Sequence, residues 1–265
     1  MSQTPLAKNE EEILQDQHRI GFREFKRSKL SLFLSGLIAG LEIGFSVLLI
    51  GTLLTLFGNS LPEYWMRIMT SAAYPLGFIL IIVGKSELYT EHTSLALLPV
   101  LTGHASLREL LQLWSLIISG NLLGGWFFAL LLSWVGPEKD LLTTAAATAM
   151  TTPLLEAKWY VLLTSAILAG WLMGLLSWLA ASVESSLSRI LIIGLITFVI
   201  GLGHLHHCIV GSIEMLCGLY ISKTITASDY LHFLAFAILG NTIGGALFVS
   251  ILKYAQVHTD HPKPE

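Results

Sequence analysis

The sequence predicts an all-α membrane protein with six spanning helices, built as two copies of a three-helix unit, the second and fifth helices broken in mid-membrane. Three observations carry this reading. The 265 residues are 54% hydrophobic and only 12% charged, a balance that ordinary water-soluble domains do not reach. Six apolar runs reach the roughly 20 residues that a helix needs to cross the hydrocarbon core. Motifs of the first half also return, in the same order, in the second.

Residues 1–29 are polar and mixed in charge, with no apolar central stretch of the kind a signal peptide carries, and read as a cytoplasmic tail. The membrane domain covers 30–254, with spans at 30–57, 68–101, 111–135, 159–181, 190–222 and 229–254, and 255–265 form a second cytoplasmic tail. Polar turns fall at 58–62, 102–104, 136–140, 182–186 and 222–224. The Ala/Thr-rich connection 141–158 predicts a short surface helix. The second and fifth spans are overlong and punctuated by glycine, and both hold ionisable groups: Glu87 in one, His204, His206, His207 and Glu214 in the other. Freed backbone groups at that depth are tolerated only where they are buried in protein or line a wet cavity, so a channel or transporter follows.

The repeat has three matched pieces. Residues 39–44 match 169–174, residues 83–88 match 210–215, and Gly120-Asn121-Leu122-Leu123-Gly124-Gly125 matches Gly240-Asn241-Thr242-Ile243-Gly244-Gly245. Three helices are an odd number, so the second copy enters the membrane from the opposite side as an inverted repeat. Glycines four apart (Gly40 and Gly44, Gly120 and Gly124, Gly170 and Gly174, Gly240 and Gly244) predict close helix crossings, with Asn121 and Asn241 bonding across them.

Basic residues collect on one side: Lys8, Arg19, Arg23, Lys26, Arg27 and Lys29 in the tail, with Arg108, Arg189 and Lys253. The other side keeps Arg67, Lys139, Lys158 and Lys223, so both termini are expected in the cytoplasm. A net charge of -3 without basic clusters among aromatics excludes nucleic acid as a partner, leaving the lipid bilayer and a small solute. No nucleophile elbow or zinc-protease motif occurs, so no enzyme and no cofactor is expected. Cys208 and Cys217 share one apolar run and suggest no exported disulfide.

The histidines allow two readings. An imidazole with an ordinary pKa of about 6.5 suits hydrogen bonding to a passing weak acid, and it also suits bonding to the backbone at a helix break. On a continuous helix His204 would share a face with His207, while His206 would point away toward a protomer contact. The cluster His204, His206, His207 and Cys208 has metal-ligand chemistry as well, although alternate residues of one helix diverge, so no metal site is assigned. A membrane metal-binding or sensor protein is the alternative function. Glu42, Glu87 and Glu214 are either proton relays or hydrogen-bonding brackets, and Glu42 has no counterpart in the fourth helix, where Leu172 stands.

Residues 86–90 (Ser-Glu-Leu-Tyr-Thr), residues 167–173 with Trp178, and His207-Cys208-Ile209-Val210-Gly211 resemble, in order, the three signature motifs of the formate/nitrite transporter family. The resemblance runs from Leu30 to Tyr254 and implies a homopentamer of aquaporin-like protomers in the bacterial inner membrane. Each protomer would carry a small monovalent weak-acid anion such as formate, nitrite or hydrosulfide, or its conjugate acid. It implies His207 as the central pore histidine with Thr90 as its neighbour, and Leu88, Tyr89, Leu202 and Leu205 as apolar constrictions. Half-helix N-termini near Thr93 and Ile209 would add positive dipole ends. The chain departs from the family pattern at Gly211 (family Asn), at Glu91-His92 (family Gly-Asn), at the extra Glu42, and at Lys158, which lies nearer Trp178 than the family's vestibule lysine does.

Overall fold

The computed structural model describes residues 8–223 and 225–260, so the turn at 222–224 is only partly within the described residues and the last five positions lie outside them. The helices in chain order are α1 (Glu10–Phe25), α2 (Lys29–Phe57), α3 (Glu63–Ala73), α4 (Pro75–Gly84), α5 (Tyr89–Leu95), α6 (Leu97–Leu101) and α7 (Leu107–Glu138). They continue with α8 (Thr144–Leu155), α9 (Trp159–Ser182), α10 (Ser186–Leu202), α11 (Cys208–Cys217), α12 (Ala227–Gly245) and α13 (Leu252–Asp260). Wider π-helical turns extend α11 through Gly218–Ser222 and join α12 to α13 through Ala246–Ile251.

Five helical stretches are long and apolar enough to cross a membrane: Lys29–Phe57, Glu63–Gly84, Leu107–Glu138, Trp159–Ser182 and Ala227–Thr259. Two shorter apolar helices, Ser186–Leu202 and Cys208–Ser222, follow one another across a break. Large apolar side chains face outward throughout; Leu187, Leu191 and Leu195 on one stripe of α10 are each about two-thirds exposed (66%, 64% and 65%). Outward apolar stripes of this kind are what a membrane-spanning protein presents.

The tail reading of residues 1–29 is refined by α1. Ile13, Leu14, Gln17, Gly21 and Glu24 form a buried face at helical spacing, capped by an Asn9–Glu12 capping box, while the opposite face is charged. Gly21 lets the helix sit close: a Cβ there would come 2.1 Å from the Leu95 carbonyl oxygen. Lys8 hydrogen-bonds Asp16 at 2.8 Å and holds its carboxyl below the usual carboxylate range.

Both breaks close in one way. Lys85 and His204 adopt left-handed backbone angles (φ 67° and 48°), and the next amides, Ser86 N and Leu205 N, each reach five residues back to Ile81 O and Ile200 O at 3.0 Å. The chain then runs extended into α5 and α11. Asn121 and Asn241 hold the result: Asn121 accepts from Tyr89 N and donates to Gly36 O and Glu87 O, at 2.8 to 2.9 Å. Asn241 accepts from Cys208 N and donates to Ala166 O and His206 O over the same distances. This register corrects the sequence match of 83–88 with 210–215. The counterpart of Glu87 is His206, and Glu214 has none among the carboxylates.

The glycine crossings are as close as predicted. A Cβ on Gly40 would lie 2.1 Å from Asn121 O, and one on Gly244 2.1 Å from Ile167 O. Gly40→Ala must therefore push α2 from α7, and it is expected to destabilise the protein by roughly 2 to 3 kcal/mol, the overpacking range. Thermal unfolding in detergent measures this, and an unchanged midpoint would count against so tight a crossing.

Candidate functional site

Two cavities open at opposite ends of α9. One, of about 390 Å³, includes Val161, Tyr74, His204, His206, His207 and Glu214 in its lining. The other, of about 420 Å³, includes Ser177, Glu24, Lys85, Glu87, Glu91 and His92. From Val161 to Ser177 is about 24 Å at the helical rise per residue. We call them the histidine cavity and the charged cavity.

A hydrogen bond joins α5 to the residue that caps α11. Thr90 Oγ1 and His207 Nε2 are 2.9 Å apart with both residues buried. Thr90 follows Glu87 and precedes Glu91, both on the charged cavity, while His207 lines the other. His207 is also the N-cap of α11, its Nδ1 accepting from Val210 N at 3.3 Å. An accepting Nδ1 carries no proton, so the neutral ring holds its proton on Nε2 and donates it to Thr90. The Thr90 hydroxyl proton is then free for another acceptor. Phe78 stands edge-on to the His207 ring with centroids 5.2 Å apart, and Phe78 and Leu88 are fully buried apolar side chains.

The other expected residues are distributed as follows. Leu205 lines the histidine cavity, whereas Leu202 uses its carbonyl to accept from Arg67 at 2.7 Å. Tyr89 lines neither cavity; its hydroxyl meets Thr242 Oγ1 at 2.7 Å and its ring lies against Trp114. Residues 203–207 are not helical, so the helix-face argument that separated His206 from His207 fails: all three histidines line one cavity. The half-helices begin at Tyr89 and Cys208, not near Thr93, and several of their first amides are already taken by Asn121, Asn241 and His207. Glu42 lines neither cavity but a groove with Arg27, Ser31, Lys85 and Ser86, the last two of which also line the charged cavity. Lys158 is exposed at the start of α9 and outside the histidine-cavity lining.

Sequence reading missed the network that roofs the charged cavity. Arg27 bonds Glu24 at 2.6 Å and also pairs with Glu87, whose second oxygen meets His92 Nε2. Glu87 thus ties α1 to the break before α5. The spacing of Glu24 and Arg27 is visible in the sequence, but their partner is 60 positions away. No group of three or more His, Cys, Asp or Glu is placed to hold a metal among the described residues, which leaves the metal-binding alternative without a ligand set.

The chain is 29% identical over 257 residues to the inner membrane protein YfdC of Escherichia coli, covering 94% of this chain and 78% of that one. It is 30% identical over 244 residues to the nitrite transporter NirC of Salmonella typhimurium, covering 89% and 87%. A solved structure described as an FNT family ion channel superposes with a TM-score of 0.83 at 24% identity, over 92% of this chain and 98% of that one. A pentameric formate channel with formate bound superposes with a TM-score of 0.73 at 21% identity, over 87% and 98%. The family profile described as formate/nitrite transporter matches residues 11–255, and the chain belongs to that family.

Proposed function

We propose that the protein conducts a small monovalent weak acid, such as formate, nitrite or hydrosulfide, between the two cavities past Thr90 and His207, by passive or proton-linked permeation. The observation that carries this reading is the buried Thr90–His207 hydrogen bond between two cavities at opposite ends of α9. A hydroxyl whose oxygen is held by an imidazole offers its proton to a carboxylate or nitrite oxygen. The surrounding Phe78 and Leu88 exclude hydrated ions. Full charge in so dry a passage is expensive, so a shared or transferred proton lowers the barrier.

In this reading α3 to α6 form the second crossing and α10 with α11 the fifth, giving six crossings in an inverted repeat; the paired Asn clamps support it. Residues 30–254 form the transport domain. The charged cavity, rich in basic residues of α1, faces the cytoplasm of a bacterial inner membrane, with both termini on that side. Five protomers assemble, as in the pentameric channel that shares the fold. Leu88 and Leu205 flank the contact as constrictions.

Purified protein in liposomes is expected to exchange labelled formate or nitrite, faster at pH 5.5 than at 7.5, and not chloride. Equal permeation of chloride, or none of the three weak acids, would reject the reading.

A further inference from the structure

Glu91-His92 stands where the family pattern has Gly-Asn, and both side chains line the charged cavity. They follow directly on Thr90, within the same turn of α5. The departure therefore places two ionisable groups on the cavity wall next to the residue that bonds His207.

His92 is 1% exposed, and its two ring nitrogens are in different states. Nε2 meets one carboxylate oxygen of Glu87, whose other oxygen accepts from Arg27. Paired with the guanidinium, Glu87 is a carboxylate and can only accept, so Nε2 carries the proton. The neutral ring keeps its lone pair on Nδ1, which is buried with no hydrogen-bond partner among the described residues. Such an atom calls for a partner that the chain does not supply. The main chain of His92 is fixed as well, Trp114 Nε1 donating to His92 O at 2.9 Å. An imidazole with one nitrogen tied to a carboxylate and the other open has the layout of a general base. The carboxylate sets the tautomer and steadies the imidazolium that forms.

The surrounding charges favour the same step. On α1, Glu24 is paired with Arg23 and Arg27, and Asp16 with Lys8 and Arg19. Lys85 at the break and Arg189 on α10 line the cavity and are in no salt bridge among the described residues. Arg189 donates only to the carbonyls of Ala180 and Val183. An anion released beside His92 thus finds positive charge not yet committed to a carboxylate.

We propose that His92 exchanges the solute's proton in the charged cavity, taking it on Nδ1 from a weak acid that has passed Thr90, with Glu87 as the positioning residue. This rests on the permeation reading above and names the group that makes it proton-linked. The O–H bond of the acid breaks, its electron pair stays on the acid's oxygen, and an N–H bond forms at Nδ1. The imidazolium then passes the proton by way of Glu91 to bulk water, and the anion leaves past Lys85 and Arg189. Passage in the other direction reverses each step.

The test is tracer exchange of formate across liposomes holding the full chain, at equal pH near 7 on both sides. His92→Gln keeps a donor that can reach Glu87 but has no basic nitrogen, and it is expected to slow exchange at least about tenfold. His92→Ala is expected to be as slow and to be rescued by added imidazole, at least about fivefold and in proportion to its concentration. Imidazole should change wild-type exchange less than about twofold, and pyrazole, the same size but hardly basic, should rescue nothing. Exchange by His92→Gln within about twofold of wild type overturns the proposal, as does a His92→Ala protein that imidazole restores no better than pyrazole. If His92→Gln does not elute as the wild type does, the imidazole and pyrazole comparison decides. Absence of any exchange by the wild type rejects instead the permeation reading beneath it.

Discussion

Replacing His207 with asparagine is expected to slow formate exchange by roughly ten- to a hundredfold while leaving the fold intact. The imidazole does two jobs with two nitrogens: Nδ1 caps α11 through Val210 N, and Nε2 bonds Thr90 Oγ1 at 2.9 Å. Asparagine is a favoured N-cap and keeps the first job, but it is too short for the second. Loss of a hydrogen bond that acts on a charged or proton-sharing solute is worth about 1.5 to 3 kcal/mol, which gives the quoted range. Thr90→Val should act in the same direction, and Thr90→Ser should stay close to wild type. Exchange by His207→Asn within twofold of wild type, with unchanged thermal unfolding, would remove the Thr90–His207 contact from the path.

The largest effect on stability is expected at the two asparagine clamps. Asn121→Leu strands Tyr89 N, Gly36 O and Glu87 O, and Asn241→Leu strands Cys208 N, Ala166 O and His206 O. Each abandoned buried group costs about 1 to 3 kcal/mol, so each substitution should remove at least about 3 kcal/mol. Neither side chain touches a cavity in either lining set, so the readout is unfolding in detergent rather than transport. A shift in the midpoint below about 2 °C would mean that water satisfies these groups and that the clamps are not structural.

Much of this fold was legible in the sequence because membranes impose a coarse rule: length and apolar character fix spans, and polar interruptions fix breaks. The interruptions at Lys85–Leu88 and Gly203–His207 fell inside the overlong runs as expected. The pairing of Thr90 with His207 followed from resemblance, and the geometry places them in contact. What could not be read was register. Matching glycine and glutamate letters equated Glu87 with Glu214, whereas backbone hydrogen bonds equate Glu87 with His206, because the clamps recognise main-chain groups and leave no side-chain signature at the clamped position. Helix periodicity also misled at His204 and His206, since the chain there is extended and the 3.6-residue wheel does not apply. The helix α1 was legible in principle from the spacing of Ile13, Leu14, Gln17, Gly21 and Glu24, but its high charge masked it.

The clamps grip amides and carbonyls, and two of the residues held in this way, Glu87 and His206, line the cavities. Glu87 on one side and His206 on the other hang from matched main-chain hooks, yet one is an acid locked to Arg27 and the other a base with an empty nitrogen. The main-chain atoms of these residues hold the break, and their side chains are free to differ. Substitution at Glu87 or His206 can therefore change what lines either cavity while the main-chain hydrogen bonds that set the two breaks stay as they are.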